Sequence, residues 1–233
     1  MSTTLFWVGG EPATFATAGE TSWKARLRES TPPPALAGRE TGMELRFSVS
    51  SLRRNGHPFD VDNLCDPVFV VVIRKTGWFG GRKTGLSWWS AAKRVGEPPG
   101  CQIAIHEERT ISLPTQSPFW DENYSGPMPK KATSPELPRW ALDLRVARAV
   151  DWIPESCVLY LGFADPNVNI GEIATGRVKS AVDCLYPWLG GTAKAPEDWR
   201  VETLVVERGL SAIPPGTLHV RLWETGRIPT PRT

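Results

Sequence analysis

The chain has 233 residues, 40% of them hydrophobic and 22% charged, with a formal net charge of +2. These values fit a globular protein of one large domain or two small ones and show no global bias toward nucleic acid or membrane. The unusual counts are 11 Trp and 22 Pro: so many prolines exclude a plain helical bundle, and so many tryptophans exclude a disordered chain.

Taken in chain order, residues 4–8 read as a strand that leads into a proline-containing loop. Residues 22–29 follow as an amphipathic helix. Residues 43–49 form a second strand, with Leu45, Phe47 and Val49 on one side and Glu44, Arg46 and Ser48 on the other. From 62 to 75 the propensity is divided. The run Val68 to Ile73 suits a strand, whereas Asp66-Pro67 makes a good helix start. The region is predicted helical by analogy with residues 172–186. Residues 91–95 and 101–107 close this half as strands. The second half is predicted to open with a strand at 110–113 and a helix at 137–149, with Trp140, Leu144 and Ala147 on one face. A strand at 156–163 and a helix at 172–186, stopped by Pro187, come next. Residues 200–206 and 217–223 are expected to pair as an antiparallel hairpin.

The tryptophans expose an internal repeat. Trp78-Phe79-Gly80-Gly81 and Trp188-Leu189-Gly190-Gly191 share W-x-G-G, and each is followed by a second tryptophan, Trp89 and Trp199, at the same offset of 110 residues. Pro98-Pro99-Gly100 matches Pro214-Pro215-Gly216. Earlier, Thr4-Leu5 with Pro12 matches Thr110-Ile111 with Pro118. Trp23 to Arg28 matches Trp140 to Arg145 as W-x-x-x-L-R. The matches are collinear. They divide the chain into a first module, residues 1–108, and a second, residues 109–233, each with a small mixed sheet and helices. The expected fold class is α+β, with the two tandem modules packed as a pseudo-dimer.

No stretch reaches the ~18 apolar residues of a membrane span. Residues 1–12 lack the basic and apolar regions of a secretory signal. Cys65, Cys101, Cys157 and Cys184 are scattered without C-x-x-C, and His57, His106 and His219 are not at ligand spacing, so neither disulfides nor a zinc site is indicated. A cytoplasmic protein with reduced thiols and no membrane partner is expected.

The sharpest local feature runs Asn55-Gly56-His57-Pro58-Phe59-Asp60-Val61-Asp62-Asn63-Leu64. Asn-Gly and His-Pro mark a turn. Asp60 and Asp62, two residues apart in extended backbone, share one face and can converge on Mg²⁺, which takes oxygen ligands. The same residues also suit an acidic Asx-turn before a helix.

In its order of elements and motifs the chain resembles the RusA-like Holliday junction resolvase family. Phe6-Trp7-Val8-Gly9-Gly10-Glu11-Pro12 resembles the family's opening strand and G-x-P loop, and Asp60-Val61-Asp62-Asn63-Leu64 its D-x-D-N-L motif. In the second module, Lys179-Ser180-Ala181-Val182-Asp183-Cys184-Leu185 is similar to its K-x-x-x-D-x-L helix, Glu197-Asp198 to its later acidic pair, and residues 203–207 with 216–222 to its closing hairpin. The resemblance implies a Mg²⁺-dependent endodeoxyribonuclease that cuts branched DNA in recombination and repair. Asp60, Asp62 and Asp198, or Glu197 in its place, would be the metal ligands, and Lys179 would stabilise phosphate charge. The departures are specific. The family's lysine falls at Asp66 in the first module, and its later acid falls near Ser87-Trp88. The second module has Ile170 and Glu172, or Ile173 and Thr175, where D-x-D would stand. The resemblance also implies that one module supplies all the acids of a site, which leaves Asp60 and Asp62 short of a ligand.

Charge concentrates near the first motif. Between Leu52 and Arg94, eight basic residues face three acidic ones, a net +5. Arg53, Arg54, Arg74, Lys75, Arg82 and Lys83 are the candidate contacts to a DNA backbone, although a solvated face suits them equally. Trp78, Phe79, Trp88 and Trp89 either stack on exposed bases or pack a core beneath the Gly-Gly turn. Two readings of another kind stay open: a catalytically decayed DNA-binding or assembly protein on the same scaffold, and an interaction module with exposed tryptophans.

Overall fold

The computed structural model describes residues 3–31, 41–51, 53–54, 57–81 and 85–226. Eight strands form one mixed sheet: β1 (Thr3–Gly9), β2 (Gly42–Val49), β3 (Trp88–Val95), β4 (Gly100–His106), β5 (Trp120–Tyr124), β6 (Ser156–Phe163), β7 (Val201–Arg208) and β8 (Leu218–Gly226). The helices are α1 (Glu20–Ser30), α2 (Val61–Phe69), α3 (Glu136–Ala147), α4 (Arg177–Cys184) and α5 (Tyr186–Leu189). The fold is α+β.

The strand order is β1-β4-β2-β3-β7-β6-β8-β5. Read outward from the centre, both halves agree. In each, the third strand lies parallel to the second, the second antiparallel to the fourth, and the fourth antiparallel to the first. The halves join where β3 meets β7 antiparallel, with Thr203 opposite Ala92 and Val205 opposite Ser90. The order and directions of the strands therefore repeat on either side of the seam.

Alternation along the strands creates two unlike faces. Leu45, Phe47, Trp89, Ala91, Leu159, Leu161, Leu204 and Val206 point to the helical side and join one core with Trp23, Leu27, Leu64, Val68, Val178 and Trp188. Val158, Tyr160, Val205 and Trp223 point the other way. Residues 109–116 cross that second face as a strap: Ile111 and Leu113 pack on it, and Arg109 donates to both carboxylate oxygens of Glu207 at 2.5 and 3.0 Å. Trp223 Nε1 ties the far end to the Gln116 carbonyl at 2.9 Å.

Four sequence expectations are corrected. Residues 110–113 are strap, not strand; their alternating apolar side chains cover a sheet face, and the first strand of the second half begins at Trp120. Residues 200–206 and 217–223 do not pair with each other. β6 lies between their strands, β7 parallel on one edge and β8 antiparallel on the other. Its segment from Cys157 to Phe163 is buried throughout, which suits an interior strand. The helix expected from 172 starts only at Arg177, because the chain turns so tightly at Gly176 that a Cβ there would lie 1.8 Å from the Glu172 carbonyl oxygen. Pro187 opens the short α5, where its missing N–H is no loss, instead of ending a helix.

The divided segment at 62–75 is helical, but it starts earlier than Asp66-Pro67. Asp60 is the N-cap and Pro67 lies inside α2. A proline there leaves the Asn63 carbonyl without its helical donor, and the Phe15 amide fills the gap at 3.1 Å. Beyond it the helix widens into a π-turn over Val70–Lys75, closed by Thr76 N–H on the Val71 carbonyl at 2.9 Å.

Trp89 fastens the seam from the helical side, donating Nε1–H to the Ile170 carbonyl of the other half at 2.8 Å. Replacing it, Trp89→Phe, leaves that buried carbonyl unpaired. Chemical denaturation is expected to show a loss of about 1–3 kcal/mol.

Candidate functional site

The first turns of α2 and α4 bring the acidic motif and the lysine together. Asp60 stands at the N-cap position of α2 in extended backbone, and its carboxylate accepts from the Asn63 side chain at 2.7 Å and not from the helix amides. Asp62 lies in the first turn and is only 1% exposed. Lys179, in the first turn of α4, reaches across the seam: its Nζ is 3.0 Å from Asp62 Oδ2, 2.7 Å from Asp198 Oδ2 and 2.9 Å from Asp183 Oδ1. Asp198 comes from the short 3-10 turn before β7. Asp62, Asp183 and Asp198 each place an oxygen within 4.8 Å of the others, so this trio could hold a metal ion.

The acids of one cluster come from both halves, so the second half supplies the carboxylates that Asp60 and Asp62 lack in the first. Asp60, Asp62, Asp198 and Lys179 belong to this centre. Glu197 does not: Arg200 binds its carboxylate at 2.7 and 2.9 Å.

Two members were missed. Asp183 stands four residues after Lys179, on the same face of α4, and that spacing was the available signal. Lys93 is 8% exposed and donates to the Phe59 and Trp199 carbonyls. Those residues flank Asp60 and Asp198, so one ammonium on β3 fastens the two acid-bearing loops together. Its signal was a lysine in phase with Trp89 and Ala91, the buried positions of a strand.

Burial dominates the electrostatics. It raises Asp60 to about 7, helped by the Asp198 and Asp62 charges and opposed by Lys179. It raises Asp183 to about 7 against the pull of Lys179, and it raises Asp62 as well. Burial pulls Lys179 down, but the charges of Asp62, Asp198 and Asp183 outweigh it and the ammonium ends far above its ordinary value. Lys93 is lowered by burial despite the carboxylates nearby.

The other sequence candidates fare differently. Arg74 pairs with Glu172 at 3.3 Å and is half exposed; Lys75 is exposed. Arg53 and Arg54 form a two-residue ribbon with His57–Pro58, but their side chains, like Arg82 and Lys83 altogether, lie outside the described residues. Trp78, Trp88 and Trp89 are at most 2% exposed, so they pack the interior and do not offer faces to bases. Phe79 is partly buried against the same core. All four cysteines are free and buried. No described helix is long and apolar enough to cross a membrane. No protein-family model, curated protein or solved structure matches the chain.

Because Asp60 binds its proton more tightly folded than unfolded, the folded chain holds more protons between about pH 4 and 7. Stability from this group is therefore lost as pH rises through that window. Asp60→Asn keeps an oxygen that can accept from the Asn63 side chain and removes the charge. In chelator, the melting temperature of the variant relative to the wild type is expected to climb from pH 4 to pH 7 and then level off.

Lys93→Met removes both carbonyl contacts. A loss of about 1–3 kcal/mol is expected by denaturant unfolding, together with faster amide exchange in the 57–60 and 197–200 loops.

Proposed function

We propose that the protein binds branched DNA and cuts it with Mg²⁺ held by the carboxylate cluster at the seam. The observation that carries this reading is the convergence of Asp62, Asp183 and Asp198, drawn from both halves, within 4.8 Å. The donors suit the ion. All are carboxylate oxygens, the ligands of a hard divalent cation. Both oxygens of Asp62 are buried and lack a well-aligned hydrogen bond, and Oδ2 meets the Lys179 ammonium at 3.0 Å. With every group ionised, four aspartates face two lysines, leaving two negative charges in a buried place. A divalent cation matches that deficit.

Asp62, Asp183 and Asp198 would be the ligands, with Asp60 beside them. The ion would supply an activated water and neutralise charge building on the phosphate. Lys93 keeps the two acid-bearing loops in register. Arg74, Lys75, Arg53, Arg54, Arg82 and Lys83 are the proposed contacts to the DNA backbone. The resemblance to RusA-like resolvases supports branched DNA as the substrate.

A second reading has its own observation. The Lys179 ammonium already sits among the carboxylates, as expected of a decayed centre that binds DNA without cutting it.

Incubation with a labelled four-way junction and Mg²⁺ separates the two. Cleavage by the wild type that falls at least about a hundredfold in Asp62→Asn and Asp198→Asn supports the nuclease. Junction binding without cutting by any of them supports the second reading, and absence of binding removes both.

A further inference from the structure

We propose that Lys179 is a built-in, displaceable counter-ion: its ammonium and a divalent cation take the same place in the cluster by turns. The inference rests on the cluster being a divalent-cation site, and it goes further by saying what guards that site and what must move when the ion enters.

The geometry is one of exclusion. Lys179 Nζ lies 2.7 to 3.0 Å from one oxygen on each of Asp62, Asp183 and Asp198. Those are the three residues whose oxygens lie within 4.8 Å of one another. A Mg²⁺ ion bound at about 2.1 Å draws such oxygens inward. An ammonium cannot stay at hydrogen-bond distance from all three and leave room for the ion. Two cations a few ångströms apart would also repel strongly at low dielectric.

The arrangement explains why the lysine is there. Asp62 is 1% exposed and Asp198 4%. Without a cation, buried carboxylates this close would resist folding. Lys179 supplies one positive charge before any ion arrives. It can also leave: its side chain is 20% exposed, and four methylenes let the head swing outward while α4 stays in place. Lys93 is not interchangeable with it, because the Phe59 and Trp199 carbonyls hold that ammonium. Once expelled, Lys179 stands at the rim of the centre, where a phosphate would approach.

Two measurements on the full chain, without DNA, test this. Isothermal titration with Mn²⁺ compares the wild type with Lys179→Met, which keeps the side chain's length and removes its charge. The variant is expected to bind about tenfold tighter or more. The second needs no variant. Acylation of Lys179 by an amine-reactive ester, followed by peptide mass spectrometry, is expected to speed up several-fold when Mg²⁺ or Mn²⁺ is added, with Lys24 as the internal reference. If the wild type binds the ion but Lys179→Met binds it equally or more weakly, the displacement is overturned while the metal site stands. Lys179 reactivity unmoved by a bound ion overturns it too, even if the variant fails to fold. If neither protein binds the ion, the metal site itself falls, and the displacement with it.

Discussion

Burial of excess negative charge at the seam is the constraint on which the rest of the architecture depends. An isolated ionised carboxylate inside a protein is destabilising by several kcal/mol unless it is paired or hydrogen-bonded. Here four aspartates gather at one place, and the one lysine that pairs with them directly serves acids of both halves. Asp60 and Asp62 belong to the first half, whereas Lys179, Asp183 and Asp198 belong to the second. The first half returns Lys93, which fastens one loop from each side. The antiparallel contact of β3 with β7 is what makes the exchange geometrically available, since it brings the start of β7, just after Asp198, beside the end of β3 that carries Lys93. The N-terminal turn of α2 adds its partial positive charge where Asp60 and Asp62 sit.

The tryptophans perform the apolar counterpart of that work. A twisted sheet covered by short helices leaves wedges that aliphatic side chains fill poorly, and indoles fill them. Trp23, Trp78, Trp89, Trp120 and Trp188 are all at most 1% exposed. Trp120 stacks on Trp188 with centroids 4.6 Å apart, and Phe69 meets Trp89 edge-on at 5.2 Å. Trp88 lies on the opposite face against His106, and Gly42 beside it has no Cβ because one would lie 1.9 Å from the indole. The prolines act locally. Pro67 diverts the Asn63 carbonyl to Phe15 and so draws the loop after β1 against α2.

What the sequence made legible follows from which interactions are local. The strands 43–49 and 156–163 show their burial in their own residues, and the helices at 22–29 and 137–149 lie within a residue or two of the observed elements. Asp60, Asp62, Lys179 and Asp198 stand out in the sequence because they fall in short local motifs, D-x-D-N-L, K-x-x-x-D-x-L and an acidic pair. Strand neighbours were not recognisable. Residues 201–208 and 218–226 look like a hairpin until β6 claims both as partners. Ile111 and Leu113 alternate like a strand, yet what they answer is a sheet face built by residues 158, 160, 205 and 223. Lys93 reads as one more basic residue until its two carbonyl acceptors are seen, one of them 106 positions away.

Because the strand order repeats on either side of the seam, the cluster can be compared with the corresponding place in the other half. Aligned on the lysine, the positions matching Asp60 and Asp62 in the second half are Ile173 and Thr175, and the position matching Lys179 in the first half is Asp66. In the carboxylate cluster, Lys179 touches Asp62. At the related place, Asp66 Oδ1 accepts a hydrogen bond from the Ala174 amide at 3.0 Å, between those two positions. The same two elements meet in both places, once through an ammonium on carboxylates and once through a carboxylate on backbone. The position matching Asp198 holds Trp88, which packs into the far side of the sheet. The corresponding contact thus fastens the halves through groups that need no cation. An assembly of two identical subunits could not divide the roles in this way, because every change would appear in both sites. Joining the halves in one chain allows one centre to concentrate charge and the other to secure the frame around it.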